Sequence, residues 1–352
     1  MPERVEARAP TRIDLAGGTV DLWPLYLLHD DPLTVNAAID LYARATVEST
    51  RDGSVDGDQL DRPVAGGFDR DRRARFASVA HLRAALKEAP AELEFPMRLA
   101  SHFLEQAQAR EASCRITTDC RAPAGSGLGG SSTLGIALAA ALDRHTSRGL
   151  GGDALLQLTR SIETQVLRIP TGEQDYHPAR HGGTLALHYT VEGTRVERLA
   201  VDGAALGQRT VLVFTGVSRA SGVSNWDMLK RHLDGDADAR LALDRIIEAT
   251  HAMRRALLAA DWDAAGEALG REWEARKRMS PTVTNESIDR LIEAARSAGA
   301  IAGKVCGAGG GGCVVLWARD GMRERVAQSA RERGATVLEC HFVPEGVSVT
   351  AS

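Results

Sequence analysis

The chain has 352 residues, 43% of them hydrophobic and 26% charged, with a formal net charge of −4. That length suits two domains, the composition is that of an ordinary globular protein, and the weak negative charge excludes nucleic-acid binding driven by bulk electrostatics. No apolar run approaches the roughly 18 residues of a membrane span, and the first ten residues hold no apolar stretch of a signal peptide. A cytoplasmic protein with neither a membrane nor a nucleic-acid partner is expected. Cys114, Cys120, Cys306, Cys313 and Cys340 are scattered and lack CxxC spacing, so they read as free, buried thiols and not as zinc ligands.

Val5 to Leu15 alternates apolar and polar residues and reads as a strand broken at Pro10. Ala16 to Thr19 follows as a turn, with Asp21 just beyond it. Arg12 and Asp21 flank this turn; a shared ligand competes there with a surface arginine and a turn-capping aspartate. Leu33 to Thr50 alternates Val, Ile and Thr with polar residues, as strands of a hairpin or meander do. Arg51 to Arg75, rich in Asp, Gly and Arg, reads as a long exposed loop. Ser78 to Lys87 and Met97 to Arg110 carry apolar residues at helical spacing.

A strand-like segment begins at Cys114, and Ala122 to Thr133 follows with four glycines, three serines and one threonine; the apolar run from Leu134 to Leu142 comes next. The order is strand, glycine-rich loop, helix. Glycine permits positive φ and close approach to a ligand. A helix start offers unpaired N–H groups and a positive dipole end, which together suit phosphate. Ser131, Ser132 and Thr133 are placed to cap that helix or to hold a phosphate or a cation. The bland alternative is a tight turn with an N-cap. There is no Gly-Lys-Ser/Thr ending of a Walker loop, and no acidic residue closes a dinucleotide-binding unit.

Asp153 to Arg168 carries a helical apolar stripe, with Glu163 one position past Ile162, where a helical glutamate ordinarily faces solvent. Ile169 to Gly183 reads as a loop holding Asp175 beside Tyr176, His177 and His181, and loops on a scaffold often carry function. Thr184 to Tyr189 and Arg195 to Val201 read as strands. A boundary near residue 203 divides the chain into domains 1–203 and 204–352, with Gly203 to Gly207 as the connection. Beyond it come a strand over Thr210 to Thr215, a polar loop containing Arg219, and helices from Asn225, Arg240, Trp262 and Asn285. Four consecutive glycines, Gly309 to Gly312, precede a strand over Cys313 to Trp317; a flexible loop is the bland reading and close backbone packing the favoured one. A helix over Glu324 to Arg333 and a strand over Val337 to Val343 complete an α+β pattern.

Three glycine-bearing segments now stand at the start, middle and end of the chain: Ala9 to Gly18, Pro123 to Ser131, and Lys304 to Leu316. Together they resemble the three motifs of the GHMP kinase superfamily, the second being its phosphate loop. Further details resemble the D-glycero-D-manno-heptose 7-phosphate kinases: Gly17 to Thr19 before Asp21, Glu173 to Tyr176 before Gly182, Thr215 to Arg219, and the run from Gly299 to Gly312. The segment from Trp23 to Tyr26 and the stretch from Arg51 to Arg75 have no match in that pattern.

The resemblance implies an α+β, two-lobed GHMP kinase fold, with the active site in the cleft between an N-terminal α/β domain and a C-terminal ferredoxin-like α+β domain. It implies ATP and Mg²⁺, and transfer of a phosphoryl group to a hydroxyl of a small-molecule sugar or sugar phosphate. The best single expectation is the anomeric hydroxyl of D-glycero-D-manno-heptose 7-phosphate, in a monomer or homodimer. On this likeness Asp175 and Arg12 are catalytic. Gly125, Ser126, Gly127, Leu128, Gly129, Gly130, Ser131 and Ser132 cradle phosphate, and Ser131 and Glu163 hold the metal. Gly18, Thr19, Asp21, Tyr176, Arg219, Gly309 and Gly310 contact substrate. One departure stands out: Gly130 occupies a position where the family usually has serine. Rival readings are a kinase of another sugar or polyol, a non-catalytic binding protein, a decarboxylase of the same fold, and a dinucleotide-dependent oxidoreductase.

Overall fold

The computed structural model describes residues 3–60, 72–107, 113–217, 222–307 and 309–352. Strand β1 (Arg4–Ala16) pairs antiparallel with β2 (Leu33–Ser49). Pro10 does not end β1. The register shifts between Ala9 and Thr11, and such an irregularity accommodates a residue that has no N–H to give the ladder. β2 is one strand of 17 residues, not a hairpin.

The stretch expected as one long loop carries β3 (Val55–Leu60) and β4 (Arg72–Phe76), an antiparallel pair at the sheet edge; residues 61–71 lie outside the described residues. Its composition hid the strands. Charges protect a sheet edge, and here Arg75 pairs with Asp52 at 2.6 Å and with Asp56 at 3.4 Å. β5 (Cys114–Cys120) lies parallel to β3 and antiparallel to Ala43–Ser49 of β2. The other half of that β2 edge, Leu33–Ala37, takes β6 (Thr184–Thr190), which pairs with β7 (Gly193–Leu199). One long strand thus serves two partners along one edge.

Helices α1 (Val79–Ala85), α2 (Ala91–Leu104), α3 (Gly130–His145) and α4 (Gly152–Leu167) build the core beside this sheet. Small residues let α3 lie close: a Cβ at Gly135 would stand 2.6 Å from the Phe95 ring of α2. α5 (Tyr176–His181) occupies part of the segment expected as a loop, and Asp175 is its N-cap residue.

The expected connection at Gly203 is a helix, α6 (Gly203–Arg209), whose first N–H groups are capped by Asp202. There follow β8 (Thr210–Phe214), α7 (Gly222–Leu233), α8 (Ala237–Leu258), α9 (Trp262–Met279), α10 (Glu286–Ser297), β9 (Ala300–Val305), β10 (Cys313–Ala318), α11 (Arg323–Glu332) and β11 (Thr336–Val337). The second sheet is antiparallel in the order β11-β8-β10-β9. Side-chain caps from Asp236, Asp261 and Asn285 start α8, α9 and α10. The strand expected over Val337 to Val343 is only two residues long. Instead the chain returns to the first sheet as β12 (Ser348–Ala351), antiparallel to β1. One apolar cluster runs from Val35 and Ile39 on β2, through Met253 and Trp273, to Trp317 on β10. It ties the two sheets together and holds the cleft between them.

Candidate active site

Gly125, Gly127 and Gly129 have φ of +67°, +74° and +72°, a region that side chains other than glycine rarely enter. Gly129 is the N-cap of α3 and supplies no side-chain hydrogen bond to it. The serines that the sequence offered as caps do not act as such, so the first N–H groups of the helix remain available to an anion. The loop rests on the glycine run of the C-terminal lobe. A Cβ on Gly127 would stand 2.3 Å from the Cys306 carbonyl oxygen, and one on Gly312 would stand 2.6 Å from the Ser126 carbonyl oxygen. The Cys313 N–H donates to that Ser126 carbonyl at 2.7 Å. Backbone lies against backbone, which is what the consecutive glycines serve. Leu128 is fully buried, and its carbonyl accepts from the Arg12 N–H at 3.2 Å.

Arg12 projects from β1 and is 2% exposed. Its Nε donates to Asp175 Oδ1 at 2.8 Å, and its Nη2 donates to the same oxygen. Nη1 donates to the Gly127 carbonyl at 2.6 Å. Burial opposes the guanidinium charge, but the carboxylates of Asp175 and Asp14 outweigh it and raise the Arg12 pKa. The Asp175 side chain keeps 26% exposure, so it is fixed by arginine yet open to the cleft. Gly129 sits against it: a Cβ there would be 3.0 Å from both Cβ and Cγ of Asp175.

Glu163 is not solvent-facing; it is 3% exposed on α4. Burial pushes its pKa up, while the hydroxyls of Ser131, Tyr176 and Ser132 favour its charged form. Tyr176 donates its hydroxyl hydrogen to Glu163 Oε2. This tyrosine, expected to contact substrate, is 1% exposed and positions the glutamate instead. Ser131 is exposed at the helix start. Among the described residues no group of three or more His, Cys, Asp or Glu could hold a metal. One buried carboxylate with neighbouring hydroxyls is a hard-oxygen donor set of the kind Mg²⁺ uses together with phosphate oxygens.

These groups open onto one cavity of about 880 Å³, within the size range of small-molecule sites. Arg12, Asp175, Glu163 and Gly125 to Ser132, apart from Leu128, line it. Asp21 and Thr19 line it too. Asp21 Oδ2 accepts from the Gln174 N–H at 3.0 Å, and burial pushes its pKa up to about 7. Gly172 makes room for it, since a Cβ there would meet Asp21 Oδ2 at 1.8 Å. Another part of the wall is apolar, with Leu60, Phe95, Pro96, Val166 and Leu167 lining it.

Four expected substrate contacts do not reach this cavity. Tyr176 is one, as above. Gly18 is packed where a Cβ would stand 2.3 Å from both Arg276 and Asp14. Gly309 lies against Val283, and the Gly310 N–H donates to the Val283 carbonyl at 2.6 Å. Gly307 is the glycine of that run that lines the cavity. Arg219 lies outside the described residues.

Behind the loop is a group that the sequence reading missed. Asp14, Glu272, Arg276 and Lys304 have fully buried side chains. Arg276 Nη2 donates to Glu272 Oε1 at 2.7 Å and lies 3.4 Å from Asp14 Oδ2. Lys304 Nζ is 3.0 Å from Glu272 and 3.2 Å from Asp14. Burial disfavours the Asp14 carboxylate, but Lys304, Arg276 and Arg12 outweigh it and lower its pKa. Arg276 Nη1 also donates to the Gly307 carbonyl at 2.7 Å. Two strands and a helix from both lobes are therefore joined beneath the phosphate loop. The signal was present as Glu272 and Arg276 on the apolar stripe of α9, beside Leu269 and Trp273.

Known proteins share this fold. Residues 94–183 match the N-terminal domain of the GHMP kinases, and residues 253–336 match their C-terminal domain. The chain is 26% identical to a D-glycero-α-D-manno-heptose 7-phosphate kinase of Campylobacter jejuni, over 97% of this chain and 98% of that one. A D-glycero-D-manno-heptose 1-phosphate kinase from Bacteroides thetaiotaomicron superposes with a TM-score of 0.74 at 24% identity, covering 99% of each chain. Galactokinase of Lactococcus lactis, solved with galactose, superposes at 0.73 with 17% identity, covering 98% of this chain and 95% of that one. A glycine loop feeding an uncapped helix start, beside a carboxylate held by a buried arginine, suits the positioning and charge neutralisation of phosphoryl transfer. The chain belongs to the GHMP kinases. It is an ATP-dependent phosphotransferase with an alcohol group as acceptor.

Proposed function

We propose that this enzyme transfers the γ-phosphoryl group of ATP to a hydroxyl of a sugar phosphate, namely the anomeric hydroxyl of D-glycero-D-manno-heptose 7-phosphate. The observation that carries the reading is the Arg12–Asp175 pair beside the uncapped start of α3, in one cavity with Asp21. The ATP phosphates lie along Gly125 to Ser132, with the base against the apolar wall around Phe95. Ser131 and Glu163 hold Mg²⁺, which neutralises phosphate charge when bound. Asp175 takes the acceptor hydroxyl proton as the acceptor oxygen bonds to the γ-phosphorus. The bond from that phosphorus to the bridging oxygen breaks, and ADP leaves. Arg12 holds Asp175 in place and offsets charge on the transferring group. Asp21 accepts from acceptor hydroxyls.

A second reading, an unphosphorylated sugar or polyol as acceptor, has its own support: Arg12 is the one lysine or arginine among the described lining residues, and it is paired with Asp175. A coupled ADP-release screen decides between them. It takes D-glycero-D-manno-heptose 7-phosphate, the free heptose and D-galactose, with mevalonate and homoserine as controls. Turnover confined to the phosphorylated heptose supports the first reading. Turnover confined to free sugars selects the second, and turnover confined to mevalonate or homoserine rejects both.

A further inference from the structure

Trp226 lies on α7 in the C-terminal lobe, is 54% exposed, and lines the same cavity as Asp175, Asp21 and Thr19. The chain is anchored before and after it at two points. Before α7, the Val217 carbonyl accepts from the Gly312 N–H at 2.8 Å, beneath the phosphate loop. At the far end of α7, the His232 ring lies 4.8 Å from that of His29 and is tilted 48° to it, in the segment that follows Asp21 and Leu22. Trp226 thus shares one cavity with the phosphate loop and the Asp21 segment. The apolar wall around Phe95 and Pro96 is built by α2 of the other lobe.

Away from that apolar part, the wall of the N-terminal lobe around Thr19, Asp21 and Gln174 is polar and incompletely satisfied. Among the described residues, Thr19 Oγ1 and Gln174 Oε1 have no hydrogen-bond partner, although the two residues are 5% and 6% exposed. Both line the cavity. Unpaired buried polar atoms are costly, and a ligand rich in hydroxyls satisfies them. An exposed indole on the other lobe suits the opposite property, an apolar surface with a polar rim. A sugar ring offers both, with hydroxyls at its edge and C–H bonds on one face.

We propose that Trp226 is a specificity-determining residue that packs on the C–H face of the acceptor ring, while Thr19, Asp21 and Gln174 take its hydroxyl edge. The inference rests on the sugar-kinase reading above. It makes acceptor binding a bridge between the lobes, and it selects ring-form acceptors over open-chain alcohols.

The test compares wild type, Trp226→Ala and Trp226→Phe in steady-state turnover of D-glycero-D-manno-heptose 7-phosphate and D-galactose. Trp226→Ala is expected to raise the acceptor KM by about tenfold or more and to keep the ATP KM within about twofold. Trp226→Phe, which keeps a ring, stays within about threefold of wild type for the acceptor. Adding either sugar without ATP is expected to quench wild-type indole fluorescence, and this change is lost in Trp226→Phe. An unchanged acceptor KM in Trp226→Ala, or a rise in the ATP KM instead, overturns the stacking while leaving the sugar reading intact. Wild-type turnover of mevalonate or homoserine and of neither sugar rejects the sugar reading and the stacked ring with it.

Discussion

Asp175 and Arg12 lie 163 positions apart in the chain and 2.8 Å apart at their hydrogen-bonding atoms, in the wall of one cleft. The aspartate starts a helix and the arginine sits within a strand, so two rigid elements fix the pair. Asp175→Asn preserves the shape but cannot accept a proton. It is expected to bind ATP normally and to lose about 10²–10⁴-fold in kcat. Calorimetry and single-turnover assays read the two quantities separately, and a wild-type kcat would take Asp175 out of the base role.

Gly129 joins the phosphate loop to Asp175. Its φ is +72°, and its missing Cβ would lie 3.0 Å from Asp175. Gly149 has a similar φ of +66° with nothing within 4 Å. Alanine at either site brings backbone strain of about 1–2 kcal/mol. Only Gly129→Ala also displaces Asp175 and the α3 cap, so it is expected to lower kcat and ATP affinity. Gly149→Ala is expected to melt earlier with normal kinetics. Equal kinetics in the two variants would remove steric necessity as the reason for Gly129.

The buried charges beneath the loop give a stability prediction. Arg276→Met leaves Asp14 and Glu272 with one cation between them, and Lys304→Met does the same. Each is expected to lower the unfolding free energy by about 3–5 kcal/mol, measured by urea titration. The exposed Lys230–Asp234 pair serves as the contrast, and Lys230→Ala is expected to leave the urea midpoint where it was. Similar midpoints for all three variants would show that the buried group does not hold the lobes together.

Two buried groups act oppositely on stability as pH changes. Burial pushes Asp21 up to about 7, so the folded chain keeps a proton that the unfolded chain releases near pH 3.9. Stability is fully present below that value and is lost as pH rises toward about 7. Asp21→Asn is therefore expected to gain on wild type in Tm across this window, with the gain levelling off above it. Burial pushes His177 down to about 3, so stability falls as pH drops from about 6.5 toward that value, where only the unfolded chain takes the proton. His177→Asn is expected to flatten this acid limb. Parallel Tm curves for a variant and wild type would remove that residue from the account.

Local pattern was enough to locate much of this molecule. The glycines at 125, 127 and 129 stand between a strand and an apolar helical run, and the backbone freedom of that residue type needs no partner to be read. The helices from α8 to α11 follow an apolar stripe of helical period, again a property of neighbours along the chain. Motif resemblance then singled out Arg12, Asp175 and Glu163.

Other features exist only through pairing between distant segments. β3 and the edge strand β4 are charged strands whose hydrogen bonds come from each other and, for β3, from β5, so their composition read as loop. β12 is four residues long and is a strand because it pairs with β1. Glu163 looked solvent-facing on its helix, yet Tyr176 and the start of α3 cover it. Arg276 and Asp14 meet across 262 positions, and Trp226, on α7 of the C-terminal lobe, lines a cavity whose other walls come from residues 12 to 175 and from Gly307. The sequence by itself determined where backbone freedom and apolar periodicity lie, because those are local properties of residue type and spacing. Burial, and with it the charge state and partners of each polar group, was decided by the tertiary structure, because desolvation depends on which remote segment comes to cover a side chain.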